Sequence, residues 1–138
     1  MTPLGSARSL VSKRSASFKM IRRDFVKNMV IRYFSFQETP DFTKRLLKLM
    51  NDEDYAEFQI SLTANPLAGD LIPGGDGLRK VRWRGKGHGK RGGVRIIYYF
   101  VLKKDLILLL DIYSKNERTD LSKKELNSLV EIKRKEIG

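Results

Sequence analysis

The sequence predicts an α+β domain, with a helical hairpin and a C-terminal helix packed on a twisted, mainly antiparallel sheet of about four strands. Two observations support this fold class. Apolar residues recur at helical spacing in two separate parts of the chain, and three strand-like runs joined by short turns lie between them. The expected order of elements is β-α-α-β-β-β-α, with the helices on one face of the sheet.

The first strand and the helical hairpin are predicted between residues 30 and 66. Residues 30–36 are rich in β-branched and aromatic side chains, which favours a strand. Thr39 and Pro40 are typical of an N-cap and a first helical position, and a second helix is predicted to begin near Asn51 or Asp52. The buried stripe of the hairpin is predicted to consist of Phe42, Leu46, Leu49, Met50, Tyr55, Phe58 and Leu62.

The rest of the sheet and the last helix follow from the same patterns. Strands are predicted at residues 78–84, 94–101 and 106–113, with turn-rich links at 69–77 and 85–93. Ser122 and Glu125 have the spacing of a capping box, so the final helix is expected to begin there. Its inward side chains are predicted to be Leu126, Leu129, Val130 and Ile137.

Composition limits the kinds of site that the chain can hold. Its 138 residues carry a formal net charge of +12, with no cysteine and one histidine. Disulfides, thiolate zinc sites and multi-histidine metal sites are therefore excluded, and no cofactor is expected. The longest apolar run, residues 106–110, is far too short to cross a bilayer. No membrane association is expected, and the predicted location is the cytoplasm.

The N-terminal segment differs from the remainder of the chain. Residues 1–28 are basic, contain Asp24 as their only acidic residue and show no sustained apolar periodicity, so they are predicted to be a disordered leader. The preferred interpretation is upstream sequence translated in frame, with Met20 or Met29 as an internal start. A transit peptide and a basic arm that strengthens nucleic-acid binding are the alternatives. Residues 29–138 are predicted to form the domain.

The distribution of charge indicates a polyanionic partner. Residues 77–104 hold ten Lys and Arg residues and no Asp or Glu, and unopposed like charges destabilise a compact state unless phosphates neutralise them. Strand alternation places Lys80, Arg82 and Arg84 on one face and Val81 and Trp83 on the other. The predicted RNA-binding side chains are Arg79, Arg84, Lys86, Lys90 and Arg91. A solvated basic hairpin is the alternative.

Most enzyme classes do not fit these residues. The glycine-rich tip at 85–93 is not a nucleotide phosphate loop, because Lys90 is followed by Arg91 rather than Ser or Thr. Carboxylates are scarce near the basic segment, which argues against two-metal nuclease chemistry. The chemistry that remains is stabilisation of a phosphodiester by Lys and Arg, because Arg offers a rigid fork that matches phosphate oxygens.

Three motifs carry a resemblance to a known family. They are Gly-Leu-Arg-Lys-Val-Arg at 77–82, Gly-Lys-Arg-Gly-Gly at 89–93 running into the strand at 95–100, and Ile-Tyr-Ser-Lys-Asn-Glu at 112–117. Together they resemble the RelE/HigB toxins of bacterial toxin–antitoxin modules within the RelE/ParE superfamily, closest to the HigB-type branch. The resemblance covers roughly residues 29–138.

The resemblance implies a ribosome-dependent endoribonuclease, or mRNA interferase, that cleaves mRNA in the decoding site and inhibits translation. Such enzymes use the 2′-hydroxyl of the RNA as the nucleophile and need no metal. The family's basic positions fall on Lys80, Arg82, Arg95 and Lys115, the last with Asn116 as an alternative. Where the best-known members have a tyrosine, this chain has Ser122, and Tyr113 is the candidate substitute. The general base stays open.

The resemblance also implies partners. A neighbouring antitoxin, with a helix-turn-helix DNA-binding domain, would neutralise the toxin, and the complex would bind its own operator DNA through the antitoxin. The ribosome and mRNA are the other expected partners. Two other functions stay open, namely a ParE-like toxin that inhibits DNA gyrase and a plain RNA- or DNA-binding module.

Each candidate residue has a structural alternative. Lys80 and Arg82 are surface charges in that interpretation, Arg95 is a buried partner of Asp111, and Lys115 caps a turn. The unperturbed pKa of a histidine side chain lies near neutral pH, which makes His88 a candidate acid or base, but it lies in the glycine-rich tip, where a positioned group is not expected.

Overall fold

The computed structural model describes residues 17–20, 32–86, 93–118 and 120–137, and its fold is α+β, as predicted. Within these residues three α-helices are found, at Pro40–Leu49 (α1), Asp52–Ala64 (α2) and Lys123–Ile137 (α3). The strands are Ser17–Met20 (β1), Arg32–Glu38 (β2), Asp70–Leu71 (β3), Arg79–Trp83 (β4), Val94–Val101 (β5) and Leu106–Ser114 (β6). None of these helices is both long and apolar enough to cross a membrane.

The strands form one sheet in the order β1-β2-β6-β5-β4-β3. β2 and β6 run parallel, and every other neighbouring pair is antiparallel. The four central strands correspond to the four that the sequence predicts, and the short strands β1 and β3 add the two edges. The 3-10 turn Leu102–Lys104 reverses the chain between β5 and β6, where Asp105 adopts a left-handed conformation with φ of 48°.

The helices pack on both faces of the sheet, so the prediction that they share one face is wrong. The α1–α2 hairpin packs its buried side chains, including Phe42 and Phe58, against Ile96 of β5. On the opposite face, α3 packs Leu129 against Ile97, the next residue along β5. Adjacent residues of a strand point to opposite faces, and both are fully buried here. We name the two surfaces the hairpin face and the α3 face.

The predicted caps at Thr39 and Ser122 are confirmed, and so is a helix start near Asn51 or Asp52. The Thr39 hydroxyl accepts a hydrogen bond from the Phe42 N–H at 3.1 Å, with Pro40 at the first helical position. Asn51 caps α2 through the Asp54 N–H at 2.8 Å. At the start of α3, Ser122 and Glu125 exchange two hydrogen bonds, which are the reciprocal contacts of a capping box.

A buried lysine fastens α3 to the turn that leads into β4. Lys133 is 5% exposed, and its ammonium donates to the carboxylate and the carbonyl of Asp76, each at 2.8 Å, while lying over the Tyr99 ring. The hydrogen bond from Lys133 lowers the pKa of Asp76. Gly77 follows with φ of 95°, and a Cβ there would lie 2.8 Å from the Tyr99 ring. This position therefore needs glycine, and the turn sets the direction of β4.

Part of the predicted leader belongs to the sheet. Ser17–Met20 pair antiparallel with residues 32–35 of β2, so the expectation of disorder is wrong for these four residues. The other leader residues lie outside the described ranges. β1 covers one side of β2, which would otherwise present unpaired backbone groups at a sheet edge.

We therefore expect a chain that begins at Met29 to be less stable than the full chain. Removing β1 breaks its pairing with β2, and the melting temperature should fall by about 3 to 6 °C, the shift that roughly 1 kcal/mol produces in a domain of this size. Thermal unfolding of the two chains under identical conditions measures the difference. Equal melting temperatures would show that β1 adds nothing to the stability of the domain.

Candidate nucleic-acid interface

A row of predicted site residues crosses the three strands β4, β5 and β6. Arg82 lies directly opposite Arg95, and Arg95 lies directly opposite Tyr113. Directly opposed residues share a sheet face, and so does Lys80, two positions before Arg82. The Tyr113 ring packs among the residues of the α3 face. The row therefore lies on that face, beside the start of α3.

The two arginines of the row and the neighbouring Lys115 lack acidic partners in the described part of the chain. Among the described residues, no carboxylate forms an ion pair or hydrogen bond with the side chains of Arg82, Arg95 or Lys115. Like charges directly opposite each other on neighbouring strands destabilise a sheet. Arg82 and Arg95 therefore cost the free protein stability that a bound anion would restore.

These three side chains line one cleft, which we call the arginine cleft. Its volume is about 350 Å³, and it is lined by Arg82, Trp83, Arg84, Gly93, Arg95 and Lys115. The Lys115 N–H donates to the Gly93 carbonyl at 3.1 Å, which fastens the turn after β6 to the start of β5. The backbone of Lys115 thus closes a turn, as the structural alternative for this residue predicts. Its exposed side chain belongs to the cleft.

A second cleft adjoins the first and shares Arg82 and Arg95 with it. It measures about 450 Å³ and is completed by Ala68, Asp70, Lys80 and Val81, so we call it the lysine cleft. Lys80 lies opposite Asp70 in the β3–β4 pair. Its ammonium instead contacts the carboxylate of Asp120, which lies between β6 and α3, at 3.1 Å. Lys80 is thus the one predicted catalytic cation with an acidic partner in the described part of the chain.

Tyr113 shares the row but is closed off from solvent. It is fully buried, and the Arg118 guanidinium lies over its ring at 4.5 Å. Its hydroxyl is buried without a hydrogen-bond partner among the described residues, and burial raises its pKa. Tyr113 is not among the residues that line the arginine cleft. The prediction that Tyr113 is a catalytic contact is therefore not supported by this arrangement.

Arg118 connects β6 to the start of α3. Its guanidinium contacts Asp111 at 3.1 Å and also forms an ion pair with Glu125 of the capping box. Asp111 has a second, longer contact with Arg45 at 3.5 Å. Burial raises the pKa of Asp111 even though two arginines lie beside it. The alternative in which Asp111 pairs with Arg95 is wrong, because Arg118 and Arg45 occupy the carboxylate.

Two of the predicted RNA-binding arginines have structural partners elsewhere. Arg79 faces the hairpin side, and its guanidinium donates to the carbonyl of Gly69 at 2.7 Å, which holds the link after α2. Arg84 follows the end of β4 and borders the arginine cleft, but its guanidinium pairs with Asp54 at 3.3 Å and with Glu57 of α2. The predicted common face of Lys80, Arg82 and Arg84 is therefore right for the first two residues only.

The remaining RNA-binding candidates belong to the glycine-rich tip. Lys86 is exposed, and its N–H donates to the Leu49 carbonyl at 2.7 Å, which places it beside the end of α1. Lys90, Arg91 and His88 lie outside the described residues, so the predictions for them stay predictions.

Trp83 borders the arginine cleft as part of the hairpin-face core, as its strand position predicts. Its indole N–H donates to the Asp54 carbonyl at 3.1 Å, and its ring meets Phe58 edge-on at 5.6 Å. The ring is therefore already engaged by α2. The described residues contain no group of three His, Cys, Asp or Glu side chains arranged to hold a metal ion.

No protein-family model matches this chain.

The geometry of the row supports one kind of chemistry. Two guanidinium groups and an ammonium can neutralise a phosphodiester and stabilise the extra charge that develops when it is attacked. The sequence reasoning missed Asp120 and Arg118. The partner of Asp120 is 40 positions away, so this pairing leaves no local pattern. Arg118 pairs with Asp111 on β6 and Glu125 on α3, each seven positions away, so the repeat within one strand or helix does not indicate either contact.

Proposed function

We propose that this protein is the toxin of a type II toxin–antitoxin system and acts as a ribosome-dependent endoribonuclease. In this proposal the arginine cleft binds the scissile phosphodiester of an mRNA held in the ribosomal decoding site. The 2′-hydroxyl of the preceding nucleotide attacks that phosphorus, the P–O5′ bond breaks, and the products are a 2′,3′-cyclic phosphate and a 5′-hydroxyl.

The single observation that carries the proposal is the opposed pair Arg82 and Arg95. A protein that needed only a stable sheet would gain by replacing either residue, since the two like charges face each other and no described carboxylate contacts them. A phosphate between them would accept from both guanidinium groups. Arginine is the side chain best suited to such two-pronged contacts with phosphate oxygens.

Arg95 and Lys115 have distinct places in the proposed reaction. Arg95 lies in the middle strand between Arg82 and Tyr113, so we assign it the non-bridging oxygens, where negative charge grows during attack. Lys115 approaches from the turn after β6 and is assigned the leaving 5′-oxygen. The general base stays unassigned, because Tyr113 is fully buried and is not among the residues that line the arginine cleft.

The alternative functions have less support from these contacts. A plain single-strand-binding module would present exposed aromatic rings for base stacking, and Trp83 instead packs against Phe58. A gyrase inhibitor would have no need for Arg82 and Arg95, two opposed arginines that no described carboxylate contacts. The antitoxin is part of the proposal, since a free nuclease of this kind would arrest its own host. The +12 charge would speed its capture of an acidic segment of that partner.

The proposed chemistry predicts the ends that cleavage leaves. Ribosome-bound mRNA treated with the protein should carry 5′-hydroxyl and 2′,3′-cyclic phosphate ends, because the RNA supplies its own nucleophile. A message with one 2′-deoxynucleotide immediately 5′ of the scissile phosphate should resist cleavage, while a deoxynucleotide two positions upstream should have no effect. Sequencing the ends checks both statements. Cleavage of the first deoxy message, or ends with 5′-phosphate and 3′-hydroxyl, would contradict the mechanism.

A further inference from the structure

Asp120 is an exposed residue that contacts Lys80, one of the residues that line the lysine cleft. Its carboxylate is 3.1 Å from the Lys80 ammonium, and its side chain is 66% exposed while that of Lys80 is 30% exposed. Asp120 also accepts a hydrogen bond from the Leu121 N–H at 2.9 Å. That hydrogen bond, with a further contribution from Lys80, lowers the pKa of Asp120. The free protein therefore holds an ionised carboxylate against one of the cations of the basic row.

The choice of Asp120 as the partner of Lys80 is informative. Asp70 lies opposite Lys80 on the neighbouring strand and lines the same cleft, yet the ammonium contacts the more distant residue in sequence. The Lys80 contact with Asp120 also draws an anionic group to the edge of a cleft that contains Arg82 and Arg95. A phosphate entering that cleft would meet Asp120 as a competitor for Lys80.

We propose that Lys80 forms a second phosphate subsite, next to the arginine cleft, which the Asp120 carboxylate fills in the free protein. The ligand is the phosphodiester adjacent to the one held by Arg82 and Arg95, on a single-stranded RNA. The Asp120 contact is self-inhibitory, because a phosphate gains Lys80 only when the carboxylate gives it up. This inference rests on the proposed function, since it presumes that an RNA backbone lies along the two clefts.

The exposed position of the pair keeps the competition reversible. An exposed ion pair is weak, so a multiply charged RNA can displace it. A small anion or a single carboxylate, unlike RNA, has no adjacent phosphate that could bind the arginine cleft at the same time. The contact thus favours ligands that place two phosphates side by side over ligands that offer one.

Binding of a short, fluorescently labelled 2′-O-methyl RNA oligonucleotide tests the inference without cleavage, because this RNA lacks the attacking hydroxyl. Asp120→Asn removes the charge and keeps the oxygen that accepts from Leu121. Its affinity should exceed that of the unmodified protein by about three- to fivefold, the range expected when an exposed ion pair no longer competes. Glu131→Gln, on α3, changes the net charge equally and should raise affinity by about 1.5-fold or less.

Lys80 provides the second half of the experiment. In a Lys80→Ala background the Asp120→Asn change should act no more strongly than Glu131→Gln, because the contested cation is gone. If Asp120→Asn behaves like Glu131→Gln, or keeps its full effect without Lys80, the inference is overturned. Arg95→Ala distinguishes failure of the proposed function from failure of the inference about Lys80 and Asp120. If that change leaves RNA affinity intact, the proposed function itself fails, and the inference falls with it.

Discussion

Replacing Arg95 with alanine should lower the rate of mRNA cleavage by about 10²-fold or more, the usual loss when one donor to the transition state is removed. Arg95 lies at the centre of the row, and no described carboxylate occupies its guanidinium. It is therefore free to follow the charge that develops on the phosphate. Arg95→Lys should recover part of the rate, because lysine keeps the charge and loses the two-pronged geometry.

The rate should be measured on ribosome-bound message, with urea unfolding of each variant alongside. Arg134→Ala is the matched control, since Arg134 is also an arginine but lies 58% exposed on α3 and pairs with Asp76 and Glu131. It should cleave at the rate of the unmodified protein. An Arg95→Ala protein that is folded and fully active would remove Arg95 from the site.

Replacing Arg118 with alanine should have the largest effect on stability, a loss of about 2 to 4 kcal/mol in the free energy of unfolding. The side chain is 20% exposed, and it contacts Asp111, Glu125 and the Tyr113 ring. Without it the Asp111 carboxylate keeps the hydrogen bond from the Ile112 N–H at 2.9 Å, but its one remaining cation among the described residues is Arg45 at 3.5 Å. A buried charge without a close counter-charge is costly. Part of the loss comes from the packing of the arginine stem.

Urea unfolding measures this loss, and Arg134→Ala again supplies the comparison. Its ion pairs are exposed, so the same substitution should cost about 1 kcal/mol or less. The ratio of the two losses tests whether burial decides the value of an arginine in this fold. Equal losses would contradict the role assigned to Arg118 as the contact that joins β6 to α3.

The order of the elements could be predicted from the sequence because each depends on local patterns. Thr39, Asn51 and Ser122 mark helix starts through contacts within three residues, and all three are confirmed. The placement of the helices on the sheet depends on contacts between distant elements. The continuous apolar run of β6 is typical of a strand covered on both faces, and it is buried throughout Ile107–Tyr113. Placing every helix on one face neglected this signal.

The site shows the same division between local and distant information. The period of two places Lys80 with Arg82, and the structure agrees. Whether Tyr113 faces the same side as Arg95 depends on the register between β5 and β6, which shifts near Ile97 and Tyr98. Such an irregularity has no signal in this sequence. Arg79 contacts Gly69, 10 positions away, and Arg84 contacts Asp54, 30 positions away. Neither contact follows from a local pattern, so net charge alone overestimated how many cations are available to bind an anion.

Mapping of mRNA ends on programmed ribosomes tests the central claim most directly. Ribosomes holding a defined message would be incubated with the full chain or with the Arg82→Ala/Arg95→Ala variant, and the same message without ribosomes would serve as the control. We expect breaks at the codon in the decoding site with the unmodified protein, and none with free message. The double variant should leave the ribosome-bound message intact. Intact message after incubation with the unmodified protein, or equal cleavage by the double variant, would contradict the account.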